Sequence, residues 1–325
     1  MKQTLFSGIK PSGDLQLGNY IGAISQWLQL QRDYRCFFCL VDYHAITVYQ
    51  KPEELKKRSF DIIRAYLASG IDPKKSIIFR QSDVSEHTEL GWILNTTTKV
   101  AELEKMTQYK DYIRKQKKEG PGAGLLNYPT LMAADILLYQ TDIVPVGEDQ
   151  VQHIELARML ARRFNTLYGD VFTIPKSMMK EEGARIMQLN DPSEKMSKSN
   201  PAGCIFLSDT PSDAHKKIKR AVTDSGSEIK FDEEKKPAIS NLMTIYSVLG
   251  RISIKELEIR YENKNYGEFK RDLADLVANF LEDFQEKAEA VSDREIQRIL
   301  ADGATVAKDI AAKTMKDVKQ HLGLR

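Results

Sequence analysis

The sequence predicts an α/β domain followed by an all-helical one. Two observations carry this. Short apolar runs alternate with helical patterns through the first half of the chain, and after about Asp209 the strand signals stop. Such alternation gives parallel strands joined by crossover helices, with both sheet faces covered. The predicted strands are 5–9, 36–41, 77–81, 143–146 and 171–174. Between the first two, Ile21, Ile24, Trp27 and Leu28 recur at helical spacing. Pro52-Glu53-Glu54 opens a second helix that closes at Gly70. A third starts at Asp149 and carries Ile154, Leu156, Ala157, Leu160, Ala161 and Phe164. Helical patterns then cover 212–222, 239–249, 254–261, 268–288 and 293–322.

At 325 residues the chain exceeds the length of one ordinary core, so two or three units are expected. The net charge of +2 excludes nucleic-acid binding through bulk positive charge, though not through a local patch. No apolar run has the ~18 residues of a membrane span. Gly8 and Pro11 follow too soon after Met1 for a signal peptide. Three cysteines and no export signal exclude a disulfide scaffold and leave the cytoplasm as the expected compartment. Cys36 and Cys39 have CxxC spacing but lie in a predicted strand, where residues three apart face opposite ways and cannot grip one ion. Buried thiols are expected. The five histidines form no HxH or HxxxH pair, which argues against a zinc site.

In an open parallel sheet, ligands lie beyond the carboxyl ends of the strands. The first predicted strand runs into a turn with glycines at 8, 13, 18 and 22, and free N–H groups near Gly18 would suit an anion. The turn is neither GxxxxGK[ST] nor GxGxxG, and by itself reads equally as an ordinary strand–helix connection. Pro145-Val146-Gly147-Glu148-Asp149-Gln150 is a second strand end feeding a helix, where acidic residues are also common caps. Lys195-Met196-Ser197-Lys198-Ser199, between Pro192 and Pro201, places two lysines among small hydroxyl neighbours. That loop can close on a polyphosphate. All three together, in this order, are far more specific than any one. Asp135 shares a helical stripe with Met132, Ile136 and Tyr139, a lone carboxylate among apolar groups. Its plain structural reading is a charge that reaches solvent or pairs with an arginine elsewhere.

These segments resemble the class I aminoacyl-tRNA synthetases. The segment from Pro11 to Asn19 is similar to their first signature, HIGH, and Lys195 to Ser199 matches the second, KMSKS, letter for letter. Within the class the chain most resembles the bacterial tryptophan-specific family. The likeness rests on Phe6-Ser7-Gly8-Ile9, Gly18-Asn19-Tyr20-Ile21-Gly22, His44-Ala45-Ile46-Thr47, Met106-Thr107-Gln108 and Leu131-Met132-Ala133-Ala134-Asp135. It continues through Gly183-Ala184-Arg185-Ile186-Met187, Ala221-Val222-Thr223-Asp224-Ser225 and Asp302-Gly303-Ala304, and so spans nearly the whole length.

The resemblance implies a Rossmann-like, doubly wound sheet of the HUP type in residues 1–205. This unit would hold a helical insertion at about 103–170 and the mobile loop 195–199. A helical anticodon-binding unit would follow at 206–290, and a C-terminal helix at 291–325. It implies activation of L-tryptophan by ATP, with Mg2+ carried on the phosphates, then transfer to tRNA(Trp). Such a displacement needs positioning and charge neutralisation more than a side-chain nucleophile. Lys195 and Lys198 would be catalytic, on the pyrophosphate side. Lys10, Pro11, Ser12, Gly18, Asn19, Gly147, Glu148, Asp149, Ile186, Met196, Ser197 and Ser199 would join them around ATP, with Ile186 and Met196 at the adenine. Asp135 would accept the indole N–H. Phe6, Met132, Val144, Val146 and His44 would border the ring, and Tyr128 and Gln150 would hold the α-amino group. A homodimer without membrane association is implied, as are RNA contacts at the basic clusters 114–118 and 216–220.

Several positions depart from the family pattern. Lys10 adds a positive charge beside the ATP site, Tyr43 precedes His44, Tyr112 stands where a lysine is usual, and Asn200 follows the lysine loop in place of aspartate. A tyrosyl-specific synthetase, which also uses an aspartate on the corresponding helix, is the nearest competing enzyme. A catalytically silent RNA-binding paralogue and a small-metabolite nucleotidylyltransferase are the rivals from other classes.

Overall fold

The computed structural model describes residues 2–11, 13–115, 122–147, 150–179 and 185–324, with backbone alone at Ala23, Gln26, Tyr112 and Lys115. Five strands, β1 (Thr4–Ile9), β2 (Arg35–Leu40), β3 (Ser76–Arg80), β4 (Ile143–Val146) and β5 (Lys176–Met179), form one sheet in the order β3-β2-β1-β4-β5. Every pairing is parallel. The order reverses direction between β1 and β4, and a crevice therefore opens beyond the carboxyl ends of those two strands.

Strand residues alternate between two buried layers. Leu5, Cys36, Phe38 and Ile78 face α2 (Ser25–Asp33) and α4 (Pro52–Ala68), where Trp27 stacks on Phe38 at 4.7 Å. Phe6, Phe37, Cys39 and Phe79 face α5 (Glu86–Thr97), α8 (Ala123–Leu137) and α9 (Val151–Tyr168). Cys36 and Cys39 thus lie in different layers as buried free thiols, on opposite faces as the strand period requires.

The fifth strand corrects the sequence reading. Residues 171–174 carry the apolar signal but not the pairing, which falls at Lys176–Met179. Two side-chain amides take the place of a ladder there. Asn165 Oδ1 accepts from the N–H groups of Val171 and Phe172, and Asn165 Nδ2 donates to the Phe172 carbonyl. Gln140 accepts from the Thr173 N–H and donates to the Val171 carbonyl. Phe172 packs edge-on against Phe164 of α9, so the apolar run is core without being sheet. The third predicted helix begins at Val151, while its proposed first residue, Asp149, lies outside the described residues.

Past residue 209 the structure is helical: α10 (Pro211–Arg220), α11 (Pro237–Gly250), α12 (Ile254–Arg260), α13 (Tyr266–Glu289) and α14 (Asp293–His321). Each start has a local chemical cause. Thr210, Ser253, Asn265 and Ser292 accept from the backbone N–H three residues on. Asp224 accepts from the N–H groups of Ala238 and Ile239 across a loop, which fixes the start of α11. The α10–α13 core also takes in Ile186, Leu189 and Met196. Helix α14 returns to the sheet and runs against edge strand β3, where a Cβ on Gly303 would collide with the Ile78 carbonyl. Its first turns (Ile296, Ile299) join one layer and its later ones (Ala304, Ala307, Ala311, Met315) the other, so one helix covers the β3 edge.

Candidate active site

The β1/β4 crevice contains a cavity of about 570 Å3. Ser7, Gly8, Ile9 and Lys10 from the end of β1 form one wall, and the run from Val144 to Gly147 at the end of β4 forms the facing one. Met132, Asp135 and Ile136 of α8 make the floor, with Phe6, Val41 and His44 beside them. Asn19, Tyr128, Gln150 and Lys195 line it as well. Twelve of the residues expected from sequence therefore share one cavity: Phe6, Lys10, Asn19, His44, Tyr128, Met132, Asp135, Val144, Val146, Gly147, Gln150 and Lys195.

Asp135 is 1% exposed, and its partners are not solvent or an arginine, as its plain structural reading would have it. His87 Nδ1 lies 2.6 Å and Gln81 Nε2 2.7 Å from Oδ1, and His44 Nε2 lies 2.8 Å from Oδ2. Burial by itself would raise this carboxyl. The His44 charge and the hydrogen bonds from His44 and His87 outweigh burial and hold the group below the usual carboxylate range. An ionised acceptor at the base of an apolar cavity is costly unless paired, and here it is paired from behind. His44 is both buried and cavity-lining.

Tyr128 O–H donates to Gln108 Oε1 (2.8 Å), and His153 Nε2 lies 2.6 Å from the same oxygen. The tyrosine's single hydrogen goes to the amide, so His153 donates. Burial pushes the Tyr128 phenol up to about 12, which keeps it protonated. Gln108, Gln81, His87 and His153 were not expected from sequence. Gln81 follows directly on β3, so the strand-end rule could have flagged it; His87 and His153 give no spacing signal.

The lysine loop is pinned at its second residue. Met196, 2% exposed, is buried in the α10–α13 core, its N–H donates to the Ile186 carbonyl (2.9 Å), and its carbonyl accepts from Gln16 Nε2 (2.8 Å). Ile186 is buried beside it, so neither residue lines the cavity in this conformation. The two lysines diverge from that anchor. Lys195 is exposed and faces the cavity, whereas Lys198 lies half-buried along Gly13, near Asp14. Burial lowers the Lys198 pKa and the Asp14 charge opposes the shift. Gly13 holds φ +68°, and a Cβ there would come within 2.9 Å of Lys198 Nζ, so this approach depends on glycine. Ser197 and Ser199 pair through their hydroxyls at 2.9 Å.

The first turn differs from expectation. A short helix α1 (Leu17–Asn19) leads through a π turn (Tyr20–Ile24) into α2. Leu17 N–H donates to the Ile205 carbonyl, and Asn19 and Tyr20 N–H to that of Gln16, so these amides are not free for an anion. Gly18 packs against Ile186 and Met196 instead of the cavity, and Pro11 is buried off its wall. Ser12, Glu148 and Asp149 lie outside the described residues, as do Gly183, Ala184 and most of the 114–118 cluster. In the second cluster, Lys217 pairs with Asp209 at 2.6 Å and Lys216 with Asp213 at 3.1 Å, while Lys219 and Arg220 are exposed. Of the departures, Asn200 accepts from the Gly203 N–H and donates to Gln188 Oε1, an amide role that aspartate could not fill.

Comparison with known proteins accords with this geometry. The family described as tRNA synthetases class I (W and Y) matches residues 1–282. The Tryptophan--tRNA ligase of Bacillus subtilis is 53% identical over 327 residues, covering 100% of this chain and 98% of that protein. That of Listeria monocytogenes is 51% identical with the same coverage. Among solved structures, tryptophanyl-tRNA synthetase from Mycoplasma pneumoniae superimposes with a TM-score of 0.92 at 36% identity, covering 100% of this chain and 99% of that one. The Campylobacter jejuni enzyme, solved in complex with ADP and tryptophan, gives 0.84 at 38%, covering 99% and 100%. A match that runs from the first residue into the last helix but one, joined to half-identity from end to end, places the chain plainly: it belongs to the class I tRNA synthetases of the tryptophan and tyrosine group, in the tryptophan--tRNA ligase family.

Proposed function

We propose that this chain activates L-tryptophan with Mg·ATP, forming tryptophanyl-adenylate and pyrophosphate, and then transfers the tryptophanyl group to tRNA(Trp). The observation that carries this is the buried, ionised Asp135 at the floor of an apolar cavity whose rim bears Lys195. The indole ring enters between Phe6, Met132, Val144 and Val146, and its N–H donates to the carboxylate. Tyr128 and Gln150 hold the α-amino group, which leaves the carboxylate of tryptophan aimed at the α-phosphate. Lys195 and Lys198 neutralise charge on the departing pyrophosphate, with Lys10 and Asn19 beside the phosphates and Gly147 and Asp149 assigned to the ribose. Mg2+ enters as part of the nucleotide substrate.

The same reading divides the chain into a catalytic unit (1–205), an anticodon-binding unit (206–290) and a C-terminal helix (291–325), working in the cytoplasm. None of the described helices is long and apolar enough to cross a membrane. A homodimer is supported by exposed apolar side chains: Tyr49 (83%), Trp92 (71%) and Val100 (59%). Exposed Lys219 and Arg220 support contact with the tRNA backbone, which makes tRNA affinity fall as salt rises. The test is ATP–pyrophosphate exchange with single amino acids. Tryptophan should drive exchange faster than tyrosine or phenylalanine; faster exchange with tyrosine, or none with any amino acid, overturns the proposal.

A further inference from the structure

We infer that His87 is a positioning residue for indole recognition, acting with Gln81 and Tyr139 to leave Asp135 one acceptor site facing the cavity. This rests on the reading of Asp135 as the acceptor of the indole N–H. An ionised carboxylate offers about four lone-pair sites. Among the described residues three are filled. Gln81 Nε2 and His87 Nδ1 saturate Oδ1 at 2.7 and 2.6 Å, and His44 Nε2 takes one site of Oδ2 at 2.8 Å.

Both donors to Oδ1 are themselves fixed. Gln81, 0% exposed, accepts from the Tyr43 N–H at its own Oε1 (3.1 Å), so its amide turns its NH2 towards Asp135. His87, also 0% exposed, must carry its hydrogen on Nδ1, because a carboxylate only accepts. In the neutral imidazole its Nε2 then accepts the Tyr139 O–H, 2.7 Å away. That hydrogen bond selects the tautomer that donates to Asp135. Tyr139 is in turn held in place by stacking on Phe37 (4.7 Å) and on Phe6 (5.7 Å), the latter a cavity-lining ring. His87 touches no substrate. It acts through Asp135, fixing the carboxylate's orientation before the indole arrives, so that no reorganisation is required on binding.

The experiment compares activation of tryptophan with that of its benzothienyl analogue, in which sulfur replaces the indole N–H. Wild type should favour tryptophan in kcat/KM. His87→Leu should narrow that preference by roughly 10- to 100-fold through the KM for tryptophan, with the KM for ATP unchanged. His87→Asn, whose amide nitrogen replaces Nδ1, should restore most of the preference. His87→Gln, whose amide lies nearer the position of Nε2, should not. Loss of both substrates in equal measure, with the preference intact, would show packing alone and overturn the inference. Should His87→Leu fail to fold, the Asn and Gln pair decides it, and equal preference in those two counts against it. A wild type that activates tyrosine but not tryptophan removes the functional reading and this inference together. A wild type selective for tryptophan with an unmoved preference in the variants removes this inference only.

Discussion

Removing the Asp135 carboxylate should damage the fold more than its small volume suggests. In Asp135→Ala, three donors lose their acceptor at once: His87 Nδ1, Gln81 Nε2 and His44 Nε2. A buried group left without its partner costs roughly 1–3 kcal/mol, so three would cost about 3–9 kcal/mol. His44 borders the cavity, where water can replace the lost oxygen, and the expected loss is therefore nearer that of the two enclosed groups, roughly 2–6 kcal/mol. That is a large part of the ~5–15 kcal/mol by which domains are stable. The same reasoning predicts non-additivity. With His87→Leu in the same chain, one stranded donor is gone, and the double variant should be more stable than additive losses imply by about 1–3 kcal/mol. Urea unfolding of the wild type, both single variants and the double variant, followed by far-UV circular dichroism, measures this coupling. Strictly additive losses, or a wild-type midpoint for Asp135→Ala, would refute the account of a carboxylate held by converging donors.

Three further outcomes are expected. Asp135 has its folded pKa held below the ordinary value, so its contribution to stability is fully present above the unfolded carboxyl pKa near about 4 and is lost as pH falls towards the folded value; Asp135→Asn should show a shallower loss of thermal midpoint between about pH 5 and pH 2 than wild type, and parallel curves would contradict this. Lys195→Ala should lower kcat for pyrophosphate exchange by roughly 10²–10³-fold while tryptophan affinity, read by equilibrium titration, changes little; an unchanged rate would remove Lys195 from the chemistry. Gly303→Ala should cost at least about 1–3 kcal/mol in the same unfolding assay, because the added Cβ meets the backbone of β3 and the helix must lift from the sheet edge; a neutral result would place α14 elsewhere.

The first four strands were legible because each lies between two covered layers and so reads as a short, largely apolar run. The fifth was not. As an edge strand, β5 is exposed or half-buried at each of its four positions, and the neighbouring run at 171–174 carries the stronger apolar signal while its backbone is satisfied by Asn165 and Gln140. In the site, Asp135 stood out as a charge in an apolar stripe, and the lysine loop by its residue types. His87 and Gln81 could not stand out in that way, since their chemistry lies in partners 48 and 54 residues distant. Nor could sequence show that Met196 is an anchor: a methionine between lysines reads as part of a polar loop until the core that receives it is assembled.

On the proposed function, the two ends of the cavity are built on opposite principles, and the difference follows from what each would have to do. Discrimination between amino acids requires an acceptor already desolvated before the substrate arrives, because only a group that cannot turn back to water penalises a side chain lacking the matching donor. Asp135 meets that condition through burial and rigid second partners, and its neighbours His87, Gln81 and Tyr139 are enclosed with it. Charge neutralisation on pyrophosphate has the reverse requirement: it must strengthen as the bond to the α-phosphate breaks and then release the product. A buried lysine fixed on the nucleotide would bind ground state and transition state alike. Lys195 is instead exposed, carried on a loop held at one buried methionine, while Lys198 is held back along Gly13. On the proposed function, pinning the loop at Met196 keeps its register while the exposed Lys195 follows the departing pyrophosphate and Lys198 starts half-buried along Gly13.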